Sequence, residues 1–418
     1  MECAASRRYP VLVLLFSCWA AGCGEPPPPD APGEGQSSPA AVDPGSGPWV
    51  LVPPEQVAAV CQLDPALLTA AEGILNRPFA VVRHGRLCHE YYPSGNPDAM
   101  TAAWSATKTL GALTVGMVAY QTRDLPRAGR HTGPLSDLDR VDQWLDSFSF
   151  NKDALVAHVL AMVAHNRNLA YGSKHFSYDA LGTAQINRLS DIMNTAIAQD
   201  PERLGGNVEG FVQRYLFGPL GMHHSVWNDG KADKVLAYSW MTTVRDMARV
   251  GLLLLNRGRW SGEVLLSEDW IYRMSHPSFE DASAGYGYLT WLNASSNSTD
   301  LVGAKQQGPE DPCAPVALHR SYPHEPSGAP DCGYNPPYTC TQEHDVGIFW
   351  ASGLGGQKIV VHRGLDLVLV VKDYDHSEND LWKAIRPALL AYEPRYQGDE
   401  KGFCAAYSSG AYAPDLPR

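Results

Sequence analysis

Ser105 and Lys108 are the two residues whose types and spacing most directly predict chemistry, and they occur in the segment Ser105-Ala-Thr-Lys108. Side chains three residues apart on a helix project from the same face, about one turn apart. A serine hydroxyl is a poor nucleophile until a base removes its proton, and a lysine amine can be that base when burial lowers its pKa. The pair therefore predicts a nucleophilic serine that a neighbouring lysine activates.

The segment after this pair predicts a buried helix that would position it. Residues 110–120 are apolar on nearly every side, which is typical of a core helix. Gly111 and Gly116 would allow neighbouring elements to pack closely against it. Ser105 would then stand at the N-terminus of the helix, where backbone amides and the helix dipole favour developing negative charge.

Composition and charge narrow the range of partners. The chain has 418 residues, of which 44% are hydrophobic and 19% are charged, a composition typical of a globular protein with a large core. Its net charge of -12 argues against nucleic acid and against an anionic membrane surface as partners. Acidic charge alone indicates no particular substrate.

The first 22 residues are interpreted as a lipoprotein signal peptide. Arg7 and Arg8 are basic, an apolar run covers residues 11–16, and Ala-Ala-Gly-Cys23 follows. The apolar run is too short to be a structural transmembrane helix. The small residues before Cys23 resemble a bacterial lipoprotein cleavage box, which would leave Cys23 as the lipidated first residue. A plain secretory signal cleaved near Ala21 is the alternative.

Residues 23–48 are predicted to be a tether, because they are rich in Pro, Gly and Ser and could not form a core. The expected location is the bacterial cell envelope, with the chain exported and anchored to a lipid membrane through its N-terminus. The folded domain is predicted to cover residues 49–392, with a tail at 393–418.

The cysteine count fits export, because an even number remains after the signal peptide and Cys23 are set aside. An even number in an exported chain indicates disulfides, and six cysteines allow fifteen pairings. We favour Cys61–Cys88, with the other four pairing among themselves. None of the six has the C-x-x-C spacing of a zinc site. They are Cys61, Cys88, Cys313, Cys332, Cys340 and Cys404.

Strands are predicted near both ends of the folded region. Residues 78–92 read as two strands with a turn at His84-Gly85, and residues 357–372 read as two more with a turn at Arg363-Gly364. A helix is expected over 381–392, with Pro387 as a kink or a late start.

Helices are predicted between these strands, mainly over residues 123–275, with examples at 153–163, 181–198 and 244–255. The fold class is therefore α+β, with a mostly antiparallel sheet flanked by helices and a mainly helical lobe. Residues 293–346 contain three cysteines among many Pro, Gly and Ser residues. They are expected to form a stapled loop that could overhang the site or a surface insert.

Two further segments follow Ser105 in the chain, one around Tyr178 and one from Trp350 to Gln357. With these motifs in this order, residues 75–392 resemble the β-lactamase-related serine hydrolases. That family includes class C β-lactamases, serine esterases, D-aminopeptidases and 6-aminohexanoate-dimer hydrolases. The resemblance implies a β-lactamase/transpeptidase-like fold in which the three motifs line one cleft.

The resemblance implies that Tyr178 works with Lys108 in moving the proton. A phenol beside an ammonium group can lose or relay a proton because the positive charge stabilises the phenolate. Tyr171, in Tyr171-Gly-Ser, is the alternative, since it matches the family's Tyr-x-Ser pattern literally. Tyr178 is preferred because Phe176 before it and the helix after it resemble the family layout.

The resemblance also implies an oxyanion hole formed by the backbone N–H groups of Ser105 and Leu354. Ala351, Ser352 and Gly353 would line the substrate site on the adjacent strand. Ala351 stands where β-lactamases have a cation that holds the substrate carboxylate. Ala180 replaces the family's Asn or Ser. These departures favour the esterase and linear-amide branches over β-lactam turnover.

The expected reaction is therefore acyl transfer from a small-molecule ester or amide to Ser105, followed by hydrolysis, with no metal or cofactor. One alternative is a D-amino-acid peptidase, transpeptidase or β-lactamase-like enzyme acting on cell-wall peptides. Another is a non-catalytic binding module on the same fold.

Overall fold

The structure is a computed structural model that describes residues 42–151, 153–164, 176–275, 278, 286–292, 348–376 and 378–390. Several predictions lie outside these described residues: the signal peptide, the lipidated cysteine, most of the tether, the alternative tyrosine, the cysteine-containing insert and the C-terminal tail. The residues concerned are 1–22, Cys23, 24–41, Tyr171, 293–346 and 393–418.

Helices dominate the middle of the described part of the chain, and the strands of the main sheet come from its early and late parts. The helices are α1 (Pro54–Cys61), α2 (Pro65–Leu75), α3 (Thr107–Thr122), α4 (Val156–Leu160), α5 (Ala180–Ile197), α6 (Pro201–Leu204), α7 (Val208–Val212), α8 (Gly218–Leu220), α9 (Val244–Leu255), α10 (Glu268–Met274) and α11 (Glu378–Ile385). The strands are β1 (Phe79–Arg83), β2 (Arg86–Tyr91), β3 (Thr101–Ala102), β4 (Val226–Trp227), β5 (Trp240–Thr242), β6 (Arg259–Trp260), β7 (Glu263–Val264), β8 (Trp291–Leu292), β9 (Ile348–Gly353), β10 (Gln357–His362) and β11 (Leu367–Val371).

The central sheet has six strands in the order β2-β1-β11-β10-β9-β8, and each neighbouring pair is antiparallel. The early strand β1 lies directly beside the late strand β11, with Phe79 opposite Val371. The predicted turn joins β1 to β2, and both His84 and Gly85 have positive φ, as a two-residue hairpin loop requires. The prediction of an antiparallel sheet with flanking helices is confirmed.

The sheet is covered on both faces because its inner strands are hydrophobic on both faces. Val81 and Leu369 belong to one apolar cluster, while Val82 and Val368 belong to the other. This alternation follows from the two-residue period of a strand. Helices α1, α2 and α11 contribute to the first cluster, and α3 and α9 contribute to the second.

Two predicted helices differ from the structure in length. The helix expected over 153–163 is only α4, and the helix expected over 381–392 is α11, which ends at Ile385. A 3-10 turn containing Pro387 follows α11, because proline lacks an N–H donor and its ring clashes with the preceding turn of a helix. Helix α9 has its predicted bounds, and the Thr243 side chain caps its first turn.

The Cys61–Cys88 disulfide is confirmed, and it joins the end of α1 to β2. The remaining four cysteines of the predicted framework lie outside the described residues. No helix within the described ranges combines the length and the apolar character needed to cross a membrane.

Candidate active site

Ser105 lies in a single 3-10 turn, Trp104–Ala106, that leads directly into α3. The first twelve residues of α3 are all buried, as the apolar sequence predicted. Gly111 packs against Leu236 and Gly116 packs against Trp270, each so closely that a Cβ atom would collide. Close packing around α3 therefore fixes the position of the serine turn that precedes it.

The Lys108 side chain reaches back over one helical turn to Ser105. Its Nζ donates to Ser105 Oγ at 2.9 Å and to the Ala237 carbonyl oxygen at 2.9 Å. Only 3% of Lys108 is exposed, and this burial lowers its pKa from 10.5 to about 8. Near neutral pH the amine is therefore much closer to its neutral, proton-accepting form than an exposed lysine is.

Ala237 is a part of the site that local sequence patterns did not indicate. Its carbonyl oxygen accepts from Lys108, and its own N–H donates to Asn187 Oδ1 at 3.0 Å. Asn187 lies on α5. Helix α5 thus orients the peptide group that directs the lysine amine.

Tyr178 also lies beside the Ser105–Lys108 pair. Lys108 Nζ lies 4.8 Å from the centroid of the Tyr178 ring. Burial raises the pKa of Tyr178, while a hydrogen bond with Ser105 lowers it by a smaller amount. Asp179 caps α5 by accepting from the Gly182 N–H at 2.9 Å, which fixes the backbone directly after the tyrosine. The structure therefore brings together Ser105, Lys108 and Tyr178.

Four aromatic rings pack together around Tyr178, and we call this group the aromatic cluster. All six pairs of ring centroids lie between 4.8 and 6.3 Å apart, which is the range of favourable ring packing. Tyr286 is 2% exposed, whereas Tyr178 keeps 36% of its surface exposed. The cluster therefore restrains the tyrosine ring but leaves part of it open to solvent. Its members are Phe176, Tyr178, Tyr286 and Trp291.

The end of β9 contacts the serine turn directly. A Cβ atom on Gly353 would overlap the Ala103 carbonyl oxygen and would lie 3.1 Å from the Ala106 nitrogen. Glycine is needed here because any side chain would push the strand away from the turn. Leu354 follows in the tight turn that is closed by the bond from the Gly356 N–H to the Gly353 oxygen, at 3.0 Å.

The other two predicted substrate-site residues, Ala351 and Ser352, differ in burial. Ala351 is 2% exposed and belongs to the same apolar cluster as Ala103 and Ala106. Ser352 is partly exposed and pairs with Lys358 of β10. The part of β9 that lies next to the serine turn is therefore apolar at Ala351, and we call it the apolar wall.

A second buried lysine connects the central sheet to the small sheet β3–β5–β4. Lys372 Nζ donates to the Thr101 oxygen at 2.8 Å and to the Thr242 oxygen at 2.6 Å. These two residues are paired partners in β3 and β5. Burial lowers the pKa of Lys372 to about 8. The lysine thus ties the end of β11 to the strand that leads to Ser105.

Histidines near the sheet do not form a metal site in the described part of the chain. No group of three His, Cys, Asp or Glu side chains there could hold a metal ion. His224 instead donates its backbone N–H to Asp246 Oδ2 at 3.0 Å.

Comparisons with known proteins bear on the fold. No protein-family model matches the chain, and no curated protein matches it. Among solved structures, it is similar to a protein of Bacteroides dorei DSM 17855 assigned provisionally as a beta-lactamase. The two are 16% identical with a TM-score of 0.50, and the match covers 78% of this chain and 98% of that one.

Two other solved structures are similar at lower TM-scores. One is a family VIII carboxylesterase, which is 12% identical with a TM-score of 0.49 and coverage of 82% of this chain and 99% of that one. The other is a beta-lactamase/D-alanine carboxypeptidase from Pseudomonas syringae. It is 13% identical with a TM-score of 0.46 and coverage of 79% and 99%. The match to the Bacteroides dorei structure shows that the chain has the fold of the β-lactamase-related serine hydrolases, which its motifs resemble.

Proposed function

We propose that this protein is a serine hydrolase that cleaves a small-molecule ester or amide through an acyl-enzyme on Ser105. The observation that carries the proposal is the 2.9 Å hydrogen bond between Lys108 Nζ and Ser105 Oγ. It joins a nucleophile to a base whose pKa burial lowers to about 8, which is the arrangement that general-base activation requires.

The reaction begins when Ser105 Oγ attacks the substrate carbonyl carbon and its proton passes to the neutral Lys108 amine. The tetrahedral intermediate then collapses, the bond to the leaving group breaks, and Lys108 returns the proton to that group with Tyr178 as the relay. In the second half, water attacks the acyl carbon, Lys108 accepts its proton, and Ser105 is released with that proton.

The backbone N–H groups of Ser105 and Leu354 would hold the negatively charged oxygen of the intermediate. The close contact of Gly353 with Ala103 and Ala106 supports this assignment, because it brings the two chain segments side by side. Donors of this kind each contribute on the order of 3 kcal/mol of transition-state stabilisation.

Ester or linear-amide cleavage is favoured over cleavage of β-lactams or of peptides ending in a free carboxylate. Such carboxylates are bound best by a cation, but position 351 holds a buried alanine in an apolar cluster. Release of D-alanine from a cell-wall peptide would support the peptidase alternative instead.

The proposed location is the bacterial cell envelope, with Cys23 lipidated. Support comes from the sequence of residues 1–23, with its basic start, short apolar run and small residues before the cysteine. Metabolic labelling with an alkyne fatty acid should mark the wild-type protein and not the Cys23→Ala variant. Labelling of both, or of neither, would contradict the anchor.

A fluorophosphonate probe combined with mass spectrometry tests the nucleophile. The label is expected on Ser105, and Ser105→Ala should lose both labelling and hydrolysis of p-nitrophenyl acetate while its circular dichroism is unchanged. Ser149→Ala is the matched control, because Ser149 is an exposed serine outside the site. Undiminished hydrolysis in Ser105→Ala would overturn the proposal.

A non-catalytic binding module is the second candidate function, and the observation that favours it is Ala180. This alanine stands at the first position of α5, where the resemblance predicts Asn or Ser. Failure of Ser105 to react with several fluorophosphonate probes would support this candidate.

A further inference from the structure

Three large apolar side chains are exposed directly beside the residues that form the proposed site. Trp104 is 45% exposed, Tyr238 is 51% exposed and Leu354 is 72% exposed. They belong to three separate parts of the chain, so their shared location is a result of folding. Exposed apolar residues that gather in one place mark binding surfaces more often than isolated ones do.

Backbone contacts show how close each of these positions is to the Ser105–Lys108 pair. Trp104 directly precedes Ser105. Tyr238 directly follows the residue whose carbonyl oxygen accepts from Lys108 at 2.9 Å. Leu354 directly follows the glycine that packs against the backbone of the serine turn. We call these three side chains the apolar rim.

Trp104 has an unusual backbone conformation for a tryptophan. Its φ is 48°, in the left-handed region, which costs roughly 1–2 kcal/mol for a residue with a side chain. Trp104 is 45% exposed, although Ala103 and Ala106 on either side of the serine are fully buried. Strained residues of this kind gather at functional sites.

The two buried lysines described above, Lys108 and Lys372, donate to partners within the protein. The Lys108 ammonium is directed at Ser105 and Ala237, and the Lys372 ammonium is directed at two backbone carbonyls. Ala351 adds no charge to the apolar wall. A substrate carboxylate would have to compete with these partners for the two ammonium groups, whereas an apolar group gains burial against the rim.

We propose that the apolar rim binds an uncharged aryl or alkyl group of the substrate, so that the preferred substrates are neutral esters or amides carrying such a group. Trp104 is the main specificity-determining residue, with Tyr238 and Leu354 beside it. This inference rests on the proposed function, because it assigns a substrate class to the same site.

The experiment compares matched esters. An acyl series uses p-nitrophenyl acetate, p-nitrophenyl 3-phenylpropanoate and the anionic p-nitrophenyl succinate monoester. An alcohol series uses ethyl acetate and benzyl acetate, and their hydrolysis is measured by the protons that it releases. In at least one series, kcat/KM is expected to be tenfold or more higher for the neutral aromatic ester than for the small one. The succinate monoester should be at least tenfold poorer than the phenylpropanoate.

The variant Trp104→Ala should lower the ratio of kcat/KM for the aromatic ester to that for the small ester about tenfold. Trp104→Phe should restore most of the ratio, and Tyr238→Ala should lower it a few-fold. Ile74→Ala is the matched control, since Ile74 is 65% exposed on α2, and it should leave the ratio unchanged. Thermal unfolding of each variant verifies that it is folded.

Equal losses on both esters in Trp104→Ala, no aromatic preference in either series, or preference for the anionic ester would overturn the apolar rim while leaving the hydrolase intact. Absence of hydrolysis of every ester together with absence of probe labelling at Ser105 would overturn the proposed function, and the inference with it.

Discussion

Lys108 and Lys372 are two buried lysines in nearly the same physical state but with different partners. They are 3% and 2% exposed, and burial lowers the pKa of each to about 8. Lys108 donates to a hydroxyl group and one carbonyl, whereas Lys372 donates to two carbonyls. Their burial and the lowering of their pKa values are similar, whereas their acceptors differ.

The difference shows that a lowered lysine pKa does not by itself identify a catalytic base. A serine hydroxyl has a proton to give, and the amine beside it can take that proton and return it. A backbone carbonyl has none, so Lys372 can only hold the strands that meet at its ammonium group. The lysine proposed as the base is therefore distinguished by its hydroxyl partner, Ser105.

The largest expected effect is a difference in enzymatic activity between the variants of the two lysines. Lys108→Met is expected to lower kcat/KM for p-nitrophenyl acetate by about 10³- to 10⁴-fold, because the serine loses its base. Lys372→Met should lower it less than about tenfold, since it removes a support and no reacting group. Steady-state kinetics of the two purified variants measure this, and equal losses would break the comparison.

The next effect concerns the free energy of unfolding. Lys108→Met should stabilise the protein at pH 7 by up to about 3 kcal/mol, because it removes a buried charge whose pKa is lowered from 10.5 to about 8. Lys372→Met should be less stable than Lys108→Met by about 1 kcal/mol, because it leaves two carbonyls without a donor whereas Lys108→Met leaves one. Urea unfolding of wild type and both variants measures the differences.

The pH dependence of stability provides the check on this interpretation. The penalty of a lysine whose folded pKa is lowered is fully present below that pKa and disappears as pH rises from about 8 toward 10.5. The advantage of Lys108→Met over wild type should therefore shrink across that window. A constant advantage from pH 7 to pH 10 would mean that the charge is not its source.

The smallest effect is the pH dependence of activity. Because neutral Lys108 is the active form, kcat/KM should rise with pH and level off above about 8. The same rise should persist in Lys372→Met, although Lys372 has a similar pKa. If the pH profile of kcat/KM became flat in Lys372→Met, the titration would belong to Lys372, and Lys108 would not be the base.

Local features were predictable from the sequence because they depend on neighbours in the chain. Ser105 and Lys108 are three residues apart, so helical geometry alone predicted their contact. Strand alternation and turn residues predicted β1 and β2 with their turn, and the helix predicted over 244–255 is α9. The Cys61–Cys88 pair was favoured from the sequence and is present.

Most long-range contacts were not predicted, because no local pattern encodes them, and the meeting of Tyr178 with Lys108 was expected only from the family resemblance. The Ala237 carbonyl meets Lys108 across 129 positions, and Lys372 reaches Thr101 across 271. Tyr286 and Trp291 join the aromatic cluster from outside the segment around Tyr178. The length of helix α4 was overestimated, because the apolar residues of 153–163 are buried whether or not they are helical.

The pairing of β1 with β11 has a consequence for how the chain folds. The Arg83 side chain donates to the Leu365 carbonyl oxygen from 282 positions away, so the middle of the sheet forms from the two ends of the folded region. A ribosome releases β1 long before β11, and the early hairpin has no inner neighbour in the meantime. Folding should therefore be slow and largely post-translational. A nascent chain that stops before β11 would present an open, apolar strand edge to chaperones and proteases.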